Sequence, residues 1–139
     1  MCRAMRLILV SLFFFGCSGK KEKHSQFHSL LMSADETHIA FNYEKTTSVV
    51  IRKEKEILNL IDIVLSGESE ICNCRNTGLL GLYKDDSLLL NIWISTSGTG
   101  GSDNCEYLMI NEGNRQRCYR ISYSLGMYLD ELYNDIKPE

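Results

Sequence analysis

The chain has 139 residues, of which 44% are hydrophobic and 24% charged, with a formal net charge of −3. That length holds one domain with one core, and the composition is that of an ordinary globular chain. The mildly acidic balance lacks the basic footprint with which proteins meet nucleic acid, so no nucleic-acid partner is expected.

The chain opens with an apolar run, Leu7 to Phe15, behind the basic residues Arg3 and Arg6. A membrane-spanning helix needs about 20 apolar residues, so this run is too short to cross. It fits the apolar segment of a signal peptide, usually roughly 7–15 residues long. The residues that follow, Phe14-Phe15-Gly16-Cys17, resemble the lipobox of a bacterial lipoprotein leader. The resemblance covers only the leader. It implies that residues 1–16 are removed as a signal peptide and that the Cys17 thiol is acylated. It further implies a protein held on a membrane of the bacterial cell envelope, on the periplasmic or surface side. The physics agrees: a small residue before the cut enters a protease cleft, and each buried acyl methylene adds about 0.8 kcal/mol of anchoring. Processing would remove Cys2 and two positive charges.

Residues 17–36 then read as the lipidated N-terminus and a flexible tether. Ser18 to Lys23 is small, polar and lysine-rich, and a solvated spacer accounts for it. Phe27, Leu30 and Leu31 have the spacing of one helical turn.

From residue 37 to 139 the pattern is that of a single α+β domain. Thr37 to Tyr43 alternates, and Thr47 to Arg52 is β-branched, which predicts a hairpin. Ile57, Leu60, Ile61, Val64 and Leu65 recur at helical spacing, so Glu54 to Ser66 reads as an amphipathic helix with Gly67 after it. Short strands follow at Glu70 to Arg75, Gly78 to Tyr83 and Ser87 to Ser95. The last two flank the turn signal Lys84-Asp85-Asp86. Alternation over Ser87 to Ser95 puts Leu88, Leu90, Ile92 and Ile94 on a core face and Leu89, Asn91 and Trp93 on the other. Glu106 to Ile110 and Arg115 to Ser122 flank another turn signal, Asn111 to Asn114. A final helix carries Leu125, Leu129, Leu132 and Ile136, with Ser124 as its cap. The expected fold is an antiparallel sheet of about five to seven strands with two amphipathic helices packed on one face.

Four cysteines remain for the domain: Cys72, Cys74, Cys105 and Cys118. An even number in an exported chain points to disulfides. Cys72 and Cys74 are two apart on an expected strand, so their thiols share a side. Each then pairs more naturally with Cys105 or Cys118, in an order that spacing does not decide. Free thiols and a thiolate zinc site are the alternatives. The zinc reading fits poorly, because structural sites usually place two or more residues between paired cysteines, so no metal is expected.

Ser95 to Asn104 is rich in glycine and serine. A glycine loop cradles phosphate when it leads into a helix, but this one runs between two strands. It reads as a hairpin contact loop, and Gly98, Gly100 and Gly101 join Trp93 as a candidate interaction surface. His24 and His28 lie in the tether, and His38 lies alone on a strand. No nucleophile–base pair or separated carboxylate pair stands out, so no catalytic residue and no cofactor are expected.

These features point to a non-enzymatic, membrane-anchored envelope lipoprotein that binds a macromolecular partner, of the inhibitor, immunity or assembly-accessory type. A small envelope hydrolase and a ligand-sequestering lipoprotein are the alternatives.

Overall fold

The computed structural model describes residues 19–43, 46–101 and 104–136. The expected signal peptide, Cys17 and the residues linking the first hairpin lie outside the described residues.

Seven antiparallel strands form one sheet in the order β2-β1-β4-β5-β6-β7-β3. The strands are β1 (Glu36–Tyr43), β2 (Thr46–Arg52), β3 (Ser69–Glu70), β4 (Gly78–Lys84), β5 (Ser87–Ser95), β6 (Tyr107–Glu112) and β7 (Arg115–Arg120). The helices are α1 (Gly19–Ser33), α2 (Lys55–Leu65) and α3 (Tyr123–Ile136). The fold is α+β, with helices packed against the sheet, as expected.

Alternation selects the face that the helices cover. Ile39, Phe41, Leu80, Ile92, Ile94 and Leu108 point to that side and are fully buried beneath Ile57 and Ile61 of α2 and Leu125 and Leu129 of α3. The Phe41 ring meets Tyr133 of α3 edge-on at 5.5 Å. Ser66 closes α2, donating its hydroxyl to the Ile63 carbonyl at 2.7 Å. The cap of α3 is Ser122 rather than Ser124: its hydroxyl accepts the Leu125 amide at 3.3 Å. Helix α3 starts at Tyr123, so only residue 122 is placed to reach that N–H.

The folded region begins upstream of the expected boundary at residue 37. Phe27 and Leu31, read as part of a flexible tether, are 7% and 1% exposed in the main core. Helix α1 packs on α2, and His28 Nδ1 lies 2.9 Å from Asp62. A third helix therefore joins the two that periodicity predicts.

The expected strand Glu70 to Arg75 shrinks to the two residues of β3, which pair with β7 at the sheet edge. The chain has to return from that edge to β4, which lies beside β1. That is four strand spacings, about 19 Å. Residues 71–77 span it as an extended, unpaired strap, since seven residues reach up to roughly 25 Å. Helix α2 carries the chain across one face of the sheet, and the strap carries it back across the other.

Two disulfides pin the strap. Cys72 bonds Cys118 on β7, and Cys74 bonds Cys105 just before β6. Under it lies a second, smaller core of Tyr107, Met109 and Cys118, with Cys72, Cys74 and Trp93 packed against it. The pairing of one early with one late cysteine is as the sequence suggests. The strand that was to carry the early pair is absent, because its backbone bridges the sheet instead of joining it.

Candidate functional site

Strands β4 and β5 turn through Asp85 and Asp86, both with positive φ (47° and 61°). This two-residue loop matches the right-handed twist of the hairpin. Register slips just beyond it: Tyr83 pairs with Leu88, but Leu82 pairs with Leu90. Leu89 is the extra residue of a β-bulge. A one-residue slip reverses the faces, so Leu88, expected in the core, is 48% exposed. Leu89, expected on the outer face, packs with Leu90 against the main core.

A bulge bends its strand, and β5 leaves β6 early. Pairing between them covers only Trp93↔Met109, Ile94↔Leu108 and Ser95↔Tyr107. Beyond Trp93 the two strands part. A groove of about 340 Å³ opens between them, with Leu88 to Asn91 and Trp93 on the β5 wall and Ile110 and Asn111 on the β6 wall. Its open end is flanked by two hairpin tips, Asp85-Asp86 on the β5 side and Gly113-Asn114 with Arg115 on the β6 side.

The structure thus brings Trp93 to a groove and places the glycines elsewhere. Residues 96–101 do not form a free hairpin loop. Three buried threonines tie them to the sheet: Thr99 donates its hydroxyl to Thr77 Oγ1 at 2.6 Å, and Thr96 and Thr99 share a hydroxyl contact at 2.7 Å. Gly101 donates its N–H to the Thr96 carbonyl at 2.8 Å. A Cβ at Gly101 would lie 2.5 Å from that oxygen, so the close approach requires glycine. Gly100 is exposed, with φ +90°.

Gly98 lies against Asp130 of α3, where a Cβ would fall 2.2 Å from Oδ1. Asp130 Oδ1 is buried without a hydrogen-bond partner. Burial first, and the Glu106 charge second, push this carboxyl above its usual range. A raised acid favours the protonated folded form. Its contribution to stability is present below the unfolded value and is lost as pH rises through the folded one. Asp130→Asn is therefore expected to raise Tm at neutral pH and to leave it unchanged below about pH 4. Thermal melts across that range check this; a gain that persists in acid would assign the effect to packing instead.

Other chemistry is sparse. Ser97 donates both its N–H and its hydroxyl to Glu106 Oε1. His38 is bonded to Glu36 at 3.0 Å and stacked on Tyr83. Among the described residues no group of three or more His, Cys, Asp or Glu side chains could hold a metal ion, and no helix is long and apolar enough to cross a membrane.

Asn91, Asn111, Leu89 and Ile110 belong to the groove and carry no motif. The only local signal is Asn91, a polar residue set inside an apolar strand. No family model, curated protein or solved structure matches this chain.

Proposed function

We propose that this chain is a lipid-anchored domain of the bacterial cell envelope that binds a macromolecular partner rather than performing catalysis. The observation that carries the reading is the groove beside Trp93. It is concave and mixed apolar and polar, with an aromatic anchor of the kind that dominates binding energy. The leader pattern supports the location. The two disulfides support an oxidising compartment, where such bonds persist. Among the described residues the hydrolase alternative has no nucleophile–base pair to rest on: His28 and His38 are engaged by Asp62 and Glu36, and the Ser97 hydroxyl by Glu106.

The test has two parts. Intact mass of the protein from its own membranes is expected to show a chain starting at Cys17 with acyl groups attached. A full-length or unacylated mass overturns the anchoring. Affinity capture from the same membranes is expected to retain a stoichiometric partner that Trp93→Ala loses. A partner held equally by Trp93→Ala moves recognition away from the groove.

A further inference from the structure

Resting on the reading of this groove as a recognition site, we propose that its occupant is an extended polypeptide segment that docks between β5 and β6 as an added strand. Hydrogen-bond direction carries the inference. The Ile94 carbonyl accepts the Thr77 N–H on the β4 side of the strand. Peptide groups alternate sides along a strand, so those of Trp93 and Asn91 turn toward β6. On β6, Met109 pairs with Trp93, and the same alternation turns the peptide groups of Asn111 toward β5.

In a closed sheet Asn91 and Asn111 would bond each other. Here strand pairing stops one step short, at Trp93↔Met109. Two walls therefore present backbone donors and acceptors to the same opening. A small apolar ligand would bury these groups unpaired, at a cost. An extended backbone supplies both a donor and an acceptor at every second residue, the complement of a strand edge. Because β5 and β6 are antiparallel, an added strand runs parallel to one wall and antiparallel to the other.

The side chains and charges refine the partner. Residues on one face of the segment would meet Leu90 and Ile110, which point toward the main core. Those on the other face would meet Trp93. The tips at the open end differ in charge: Asp85-Asp86 outweigh Lys84 on the β5 side, while Arg115 stands opposite Glu112 on the β6 side. The segment that fits alternates apolar and polar residues, with a cation facing the first tip.

Random heptapeptides displayed on phage, selected on the detergent-solubilised full chain, test this together with amide hydrogen exchange. In the free protein the Asn91 and Asn111 amides are expected to exchange fast, and selected peptides are expected to slow them by about tenfold or more. N-methylation of alternate peptide amides is expected to cost about tenfold in affinity in either register, because one set of amides faces β5 and the other faces β6. Asp86→Asn, an exposed change at a positive-φ position that Asn tolerates, is expected to weaken binding several-fold. Slow exchange of both amides in the free protein overturns the proposal, because the gap is then closed. Selected peptides that bind without protecting them overturn it too. Finding no binding peptide, while a membrane partner is still captured and lost in Trp93→Ala, overturns the added strand but leaves the proposed function standing.

Discussion

Replacing Cys72 and Cys118 together by alanine is expected to lower the unfolding free energy by about 3 kcal/mol. The bridge spans 46 residues, and the Cys74–Cys105 bridge spans 31 and lies inside it. With the inner bridge intact, the outer one closes only the difference, about 15 residues of effective loop, and such a loop accounts for about 3 kcal/mol of unfolded-state entropy. The same argument applies to Cys74 and Cys105 with the outer bridge intact. The two effects are not independent: once one bridge has gone, the other closes its full loop and contributes about 4 kcal/mol. Loss of both therefore costs about 7 kcal/mol, comparable to the whole stability of an ordinary domain, roughly 5–15 kcal/mol. The four-cysteine variant is expected to be at the edge of unfolding in water, and each two-cysteine variant to fold cooperatively at lower urea. Urea titrations of the oxidised proteins check this. A two-cysteine variant that loses less than about 1 kcal/mol would mean that the strap is held by its packing on Met109 and Trp93 rather than by its bridges.

The strap also marks where sequence reasoning reaches and where it stops. Local signals were legible. Asp85-Asp86 and Gly113-Asn114 make two-residue turns because their neighbours alternate and their own residues tolerate positive φ. Helices α2 and α3 follow from apolar residues every three or four positions. Cys72 and Cys74 also alternate as in a strand, but any extended chain does so, paired or not. Whether residues 71–77 join the sheet or cross it depends on where β3 and β4 sit, four strands apart, and no local pattern encodes that. The Leu89 bulge is hidden for another reason. Leu88, Leu89 and Leu90 are identical, so a slip among them leaves the hydrophobic pattern unchanged. The groove is a consequence of that slip, and its most informative groups are backbone amides, which no residue type announces. Trp93 could be singled out because a large aromatic on the less buried face of a strand stands out without any knowledge of register.

Leu31→Ala is expected to cost about 3 kcal/mol, within the usual range of roughly 2–5 for emptying a leucine-sized site in a core. Leu31 is 1% exposed, while its neighbour Met32 is 55% exposed on the same helical turn. Met32→Ala is therefore expected to change stability by less than about 0.5 kcal/mol. The pair of variants separates two views of the N-terminal segment. Its composition, with Lys20, Lys21, Lys23 and two histidines, reads as a solvated leash. Its burial makes it part of the fold, with Phe27 edge-on to Tyr119 at 6.2 Å. Equal, negligible costs for both variants in urea unfolding would return residues 27–36 to the tether. A large cost for Leu31→Ala alone bears on the proposed anchoring as well. Helix α1 starts at Gly19, two residues beyond Cys17, and its 15 residues extend about 22 Å. The proposed lipid site would then lie two residues before a helix whose Phe27 and Leu31 are docked in the core.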